Sequence, residues 1–244
     1  MKAYTYLLVD FFSILIPFLF SFDKRLGFYK KWKSVLPAIL LTGLLFIPWD
    51  IAFTRREVWG FNPDYLTGAS LLGLPMEEWL FFFCIPYACL FTYDAFKILQ
   101  PFDFLKNHRN LIGWGLFLFS LCAGLYSYPK LYSTSAFLLL CAFIFLLQTV
   151  WKNTQLSRFY WTYALLLVPF FAVNGILTGT LLDEPVVWYN NSENLGFRLG
   201  TIPFEDAFYG MLLLFMNFAW FDFFEKRKVK QNVPTRRKER IPVS

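Results

Sequence analysis

The chain has 244 residues, of which 57% are apolar, 22% are aromatic and only 16% are charged. Soluble domains carry about 25% charged residues, so this chain has too little polar surface to cover a water-exposed fold. Its net charge is +6, but the Lys and Arg residues lie in short loops and in the tail rather than on one basic face. We therefore expect no binding of nucleic acid.

Seven apolar runs predict membrane-spanning helices, because a helix needs about 20 mostly apolar residues to cross a bilayer. The first run has no basic segment beyond Lys2 and no small-residue cleavage site, so we interpret it as a membrane helix and not as a signal peptide. A very short turn at residues 128–130 predicts a tight hairpin between the fourth and fifth runs. The predicted fold is an all-α, polytopic membrane helix bundle. In chain order, the runs cover residues 4–22, 34–53, 77–96, 110–128, 133–151, 159–182 and 205–224.

The distribution of Lys and Arg predicts the orientation in the membrane. Of the 23 basic residues, 18 lie in the tail and in the loops 23–33, 97–109 and 152–158, and 5 lie on the other side. Basic residues are enriched on the cytoplasmic side, so the N-terminus is expected outside the cell membrane and the C-terminus in the cytoplasm. The basic tail, residues 226–244, is expected to be disordered and to contact anionic lipid headgroups.

An internal repeat organises the chain. An offset of 128 residues superposes the third apolar run on the seventh, and a slightly shorter offset superposes Asp50 on Asn174. Four helices separate the two copies, so both are expected to run in the same direction with their acids at one membrane face. The predicted units are a first repeat at 1–109, a spacer helix at 110–129 and a second repeat at 130–225. The superposed pairs are Pro75 with Pro203, Glu77 with Glu205, Glu78 with Asp206, Phe81 with Tyr209 and Asp94 with Asp222.

Each copy starts a helix with the motif Pro-x-Glu-Glu/Asp. Pro is favoured at the first helical position and acids in the first turn, so a well-started helix explains one copy alone. Two copies at the same spacing favour a functional site. Residues four apart share a helix face, which pairs Glu77 with Phe81 and Glu205 with Tyr209. A carboxyl exchanges protons and an aromatic face stabilises a cation, a combination suited to carbocation chemistry. The candidate catalytic residues are Glu77, Glu78, Glu205 and Asp206, with the proton donor left open.

Further candidates lie near the outer ends of the second and sixth helices. Asp50 and Asn174 are polar residues inside apolar sequence, which indicates a binding role or a helix-end cap. Trp49, Trp59 and Trp188 suit either an interfacial aromatic belt or the wall of a cavity. The loops 54–76 and 183–204 are long enough to fold back as lids. With Phe81 and Tyr209, these five residues form the predicted substrate-binding set.

The duplicated motif, at residues 74–78 (Leu-Pro-Met-Glu-Glu) and 202–206 (Ile-Pro-Phe-Glu-Asp), resembles that of the non-flavin lycopene cyclases. Residues 48–50 and 174–175 also look like landmarks of this family. The family occurs as two small subunits, as one fused chain or as a fungal domain joined to phytoene synthase, and this chain resembles the fused form over 1–96 and 130–224.

The resemblance implies a redox-neutral, acid-initiated cyclisation of lycopene to β-ionone rings, with the ring type (β or ε) left open. It implies lycopene or a related linear carotenoid and membrane lipid as partners, and it leaves association with other carotenoid enzymes open. No cofactor and no metal site is expected, since the chain has no dinucleotide fingerprint and a single His. The alternatives are a membrane prenyltransferase-like enzyme and a non-enzymatic carrier or receptor.

Overall fold

The computed structural model describes residues 2–152 and 155–232, which form seven α-helices and three small two-stranded sheets. Six of the helices are long and apolar enough to cross a membrane. The exception is α4, which has 18 residues and begins with the polar pair Arg109 and Asn110. The predicted all-α polytopic bundle is confirmed. The helices are α1 (Thr5–Phe20), α2 (Trp32–Arg55), α3 (Met76–Leu99), α4 (Arg109–Tyr126), α5 (Leu131–Thr149), α6 (Leu156–Leu177) and α7 (Phe204–Asn232).

Two helices differ by five residues or more from their predicted bounds at the C-terminal end. Helix α6 ends five residues before the predicted position 182, because Gly179 has a φ of +106°, a left-handed conformation that terminates helices. Helix α7 continues through residues 226–232, where the sequence predicted a disordered tail. An ion pair of 3.1 Å between Lys228 and Glu225, one turn apart, supports this extension. The remainder of the predicted tail, 233–244, lies outside the described residues.

The internal repeat has a structural counterpart in two short hairpins that lead directly into α3 and α7. The first pairs β2 (Ser70–Leu71) with β3 (Leu74–Pro75), and the second pairs β5 (Arg198–Leu199) with β6 (Ile202–Pro203). Each strand lies 128 residues from its counterpart, and the register of the two hairpins is the same. The boundaries of the repeats at 109 and 130, and the spacer role of 110–129, stay predictions.

The helices of the two copies are interleaved in the bundle. Helix α3 packs against α1 and α6, and α7 packs against α5 and α2, so each copy's second long helix contacts the other copy's acid-bearing helix. Helices α3 and α7 also contact each other and run parallel. Near their C-terminal ends, the Tyr93 hydroxyl donates to Asp222 Oδ2 at 2.8 Å, and Lys97 Nζ lies 3.0 Å from Asp222 Oδ1. Both acidic motifs therefore lie at the opposite, shared end.

The predicted hairpin of α4 and α5 is present, and close packing holds it together. Gly124 on α4 faces Leu138 on α5, and a Cβ at position 124 would lie only 2.6 Å from the Leu138 side chain. The absence of a side chain at Gly124 lets the two helices approach. This pair stands beside α7, which contacts α5 along its length.

Candidate active site

A cavity of about 240 Å³ lies between α1, α3, α6 and α7. On α3 its wall extends from Glu78 to Thr92, a distance of about 21 Å at 1.5 Å per residue. Carboxyl and phenol groups lie at the end formed by the helix N-terminus of α3, whereas the α6 wall farther along is mainly apolar. The cavity is thus elongated, with polar groups concentrated at one end.

A two-stranded ribbon roofs the polar end. Strand β1 (Trp59–Phe61) comes from the first long loop and pairs antiparallel with β4 (Val187–Tyr189) from the second. Successive side chains of a strand point to opposite faces, and Trp59 and Tyr189 line the cavity. Gly60 and Trp188 lie on the other face, where Trp188 is 39% exposed. The two long loops therefore fold back over the cavity. The sequence predicted that Trp188 would line the cavity, but its side chain lies on the outer face of the ribbon.

Glu78 faces the cavity and is 8% exposed. The Tyr6 hydroxyl of α1 donates a hydrogen bond of 2.5 Å to Glu78 Oε2. A second carboxyl, that of Asp50 on α2, also lines the cavity. It accepts a hydrogen bond of 2.5 Å from Trp59 Nε1. Glu78 and Asp50 thus form a pair of buried carboxyls at the roofed end of the cavity.

Asp206, the repeat counterpart of Glu78, faces the same cavity and is 5% exposed. It accepts hydrogen bonds from two phenols: Tyr132 of α5 donates to Oδ1, and Tyr189 of the ribbon donates to Oδ2 at 2.9 Å. Burial raises the pKa of the Tyr189 phenol well above its usual range, so that hydroxyl keeps its proton and acts as a donor. Asp206 therefore has two fixed donors and no second carboxyl as a hydrogen-bond partner.

Glu77 and Glu205 are buried but do not line the cavity. Glu77 Oε1 accepts from the backbone N–H and the hydroxyl of Thr67, both at 2.7 Å. Glu205 Oε1 accepts from the Leu195 N–H at 2.6 Å and from the Ser133 hydroxyl at 2.5 Å. The first acid of each motif thus anchors the loop that precedes its helix.

This arrangement differs from the predicted pairing of Glu77 with Phe81 and Glu205 with Tyr209. Phe81 and Tyr209 do line the cavity, but the acids beside them are Glu78 and Asp206, three residues earlier rather than four. Residues three apart also share a helix face. Because the folded-back loop uses the first acid as its hydrogen-bond acceptor, the second acid is the one that faces the cavity.

Aromatic rings surround the three cavity carboxyls. Tyr209 lies at the centre, with ring centroids 5.0 Å from Trp49 and 6.0 Å from Trp59. Trp49 is buried behind Tyr209 and does not line the cavity. Asn174 does line it, as predicted, and its side-chain amide donates to the Phe170 carbonyl at 3.3 Å. The wall can therefore present aromatic faces to a positive charge near the carboxyls.

The sequence predictions missed four polar side chains, three of which donate hydrogen bonds to the cavity carboxyls. Tyr6, Tyr132 and Tyr189 hold the cavity carboxyls, but a Tyr in an aromatic-rich chain carries no signal that marks it. Asp10 of α1 is buried, and neither of its carboxyl oxygens has a hydrogen-bond partner among the described residues. An acid within an apolar run was a signal that could have found it. In the described part of the chain, no three His, Cys, Asp or Glu side chains are grouped so as to hold a metal.

The family model and the known proteins that match this chain all have lycopene cyclase in their descriptions. A family model described as lycopene cyclase matches residues 3–96 and 129–224. The bifunctional lycopene cyclase/phytoene synthase of Neurospora crassa is 27% identical over 165 residues, which cover 56% of this chain and 27% of that protein. Its namesake from Aspergillus niger is 33% identical over 78 residues, 31% of this chain and 12% of that protein. The chain therefore spans less than a third of these relatives. No solved structure matches it.

Proposed function

Because this chain belongs to the lycopene cyclase family, we propose that it is a membrane-integral isomerase that closes the ψ end groups of lycopene into β-ionone rings. The observation that carries the proposal is that Asp50, Glu78 and Asp206 line one cavity with aromatic walls. The substrate is lycopene or a related linear carotenoid dissolved in the membrane lipid. An elongated cavity that is polar at one end suits a long hydrocarbon whose terminus reacts.

The chemistry requires one proton to enter the substrate and one to leave. An acid protonates the terminal double bond, and the tertiary cation that results is attacked by the next double bond of the end group. That attack forms the ring bond and moves the positive charge onto a ring carbon. A base then removes a proton from the neighbouring ring carbon, which restores a double bond. Atoms and electrons balance without a redox cofactor.

The walls of the cavity are suited to the cationic intermediate. Cation–π attraction is worth about 2 kcal/mol when the site is desolvated, and Tyr209, Trp59 and Phe81 line the cavity near the carboxyls. The ribbon of β1 and β4 covers the polar end and excludes water, which would otherwise trap the cation as an alcohol. Glu77 and Glu205 contribute by anchoring the loops that carry this roof.

The proposed location is the cell membrane, with the N-terminus outside and the C-terminus in the cytoplasm. One support is the split of basic residues, 18 on one side and 5 on the other. The other is that α4 packs against α5 while α3 and α7 run parallel, so we count α4 as a seventh crossing beside the six more apolar helices; an odd number of crossings puts the termini on opposite faces. In this orientation the acidic ends of α3 and α7 lie at the outer face.

Two alternatives have less support. A prenyltransferase must hold a diphosphate, but none of the described residues that line the cavity is Lys or Arg; dependence of activity on Mg²⁺ would favour this alternative. A carrier would be expected to distribute its acids along a pathway, whereas Asp50, Glu78 and Asp206 gather at one end of the cavity.

The test is expression of the chain in bacteria that accumulate lycopene, followed by pigment chromatography. We expect lycopene to be replaced by carotenoids with one or two rings. The control is the same strain with an empty vector. Unchanged lycopene, in cells where the protein is shown to be inserted in the membrane, would refute the cyclase function.

A further inference from the structure

The two cavity-facing acids have different surroundings, although the repeat relates them. Glu78 shares its end of the cavity with a second carboxyl, Asp50. The repeat position of Asp50 is Asn174, an amide that bears no exchangeable carboxyl proton. Asp206 instead accepts hydrogen bonds from Tyr132 and Tyr189. The first repeat therefore places two carboxyls at the cavity, whereas the second repeat places one carboxyl that accepts from two phenols.

Two buried carboxyls at one end of the same cavity are not both ionised, because two like charges so close in a buried site would repel strongly. One of the two therefore keeps its proton. The contacts of the pair leave an oxygen free for it: Tyr6 donates to Glu78 Oε2, Trp59 and Thr54 donate to Asp50 Oδ1, and Asp50 Oδ2 has no partner among the described residues. The Asp50–Glu78 pair thus carries one transferable proton.

Asp206 has the opposite character. Hydrogen bonds donated to a carboxylate favour its charged form, and Asp206 receives one on each of its two oxygens. A carboxylate in this state accepts a proton but has none to give.

We propose that the Asp50–Glu78 pair is the acid that protonates the terminal double bond and that Asp206 is the base that removes the ring proton. This assignment rests on the proposed cyclase function and divides its two proton transfers between the two repeats. After one turnover the pair lacks its proton and Asp206 holds one. Proton exchange with water between turnovers restores both groups.

The experiment follows solvent deuterium in lycopene-accumulating membranes supplied with D₂O. Protonation is the step that brings deuterium into the substrate, and loss of a proton from the acyclic cation returns labelled lycopene. Asp50→Asn and Glu78→Gln are expected to abolish both rings and label, each falling at least about 100-fold as expected for loss of a general acid. Asp206→Asn is expected to keep labelling the carotenoid, while formation of the β ring falls and the double bond appears at other positions.

The conservative variant Asp50→Glu is the matched control, because it restores a carboxyl and should recover label that Asp50→Asn has lost. Membrane-inserted protein is quantified for every variant, and rates are expressed per inserted molecule. Label retained in Glu78→Gln, or label lost in inserted Asp206→Asn, would overturn the assignment while leaving a cyclase in place. A wild-type chain that leaves lycopene unchanged would overturn both this assignment and the proposed function.

Discussion

At the scale of single residues, the two acids of each motif have separate tasks even though they are adjacent. Glu78 and Asp206 face the cavity, and Glu77 and Glu205 accept hydrogen bonds from the preceding loops. Neighbouring positions on a helix point about 100° apart. The same motif therefore supplies both a reactive carboxyl and an anchor for the lid that covers it.

Glutamine substitutions at adjacent positions test this separation. Glu77→Gln and Glu205→Gln keep an oxygen that can accept the loop N–H, so we expect activity to fall by less than about tenfold, the cost of one neutral hydrogen bond. Glu78→Gln removes the exchangeable proton and should reduce product formation at least about 100-fold. Chromatography of pigments, normalised to inserted protein, measures both. Equal losses at positions 77 and 78 would contradict the separation.

At the scale of elements, the ribbon of β1 and β4 joins the long loops of the two copies above the cavity. Its inner face carries Trp59 and Tyr189, and its outer face carries Trp188 packed over Gly60. A Cβ at position 60 would lie 2.3 Å from the Trp188 ring, so only glycine permits this contact. The ribbon therefore depends on the close contact between Gly60 and Trp188, which lies on the face that points away from the cavity.

Gly60→Ala is expected to displace Trp188 and loosen the ribbon. Overpacking of this kind costs about 1–3 kcal/mol, and we expect a lower melting temperature in detergent together with water-trapped, hydroxylated products from a leaking roof. Thermal unfolding and pigment analysis measure the two effects.

The matched control for that change is the double variant Gly60→Ala/Trp188→Ala. Removal of the indole makes room for the new methyl group, so the double variant should be more stable than the sum of the two single changes predicts. Strict additivity of the two effects would show that Gly60 and Trp188 do not constrain each other.

At the scale of the whole molecule, the cavity exists only because the two copies are interleaved. Its walls come from α1 and α3 of the first copy and from α6 and α7 of the second. The opposite ends of α3 and α7 are joined by contacts among charged residues, including Lys97 Nζ with Asp222 Oδ1 at 3.0 Å. The acidic motifs and the basic residues thus lie at opposite ends of the bundle, and the positive-inside rule predicts that these ends face the outside and the cytoplasm.

Reporter fusions test this orientation. A fluorescent protein that matures only in the cytoplasm should be bright when joined to the C-terminus. A reporter that is active only outside the membrane should work when joined to the N-terminus. The matched control exchanges the two reporters, which should silence both. The reverse pattern would place the acidic ends at the cytoplasmic face and refute the orientation.

Sequence alone determined the helical bundle, since runs of about 20 apolar residues cross lipid as helices, which satisfy their backbone hydrogen bonds internally. It also determined the repeat, because a shared offset of 128 is visible without coordinates, and the family resemblance through the acidic motif.

Tertiary structure alone decided which acid of each pair faces the cavity. The loop before each helix folds back to use the first acid, and Tyr6, Tyr132 and Asp50 approach the second acids from other helices. Such contacts join residues far apart in the chain, so no local pattern encodes them. In the proposed mechanism, those long-range contacts set which carboxyl donates a proton and which accepts one, because hydrogen bonds are stronger in a buried site than in water.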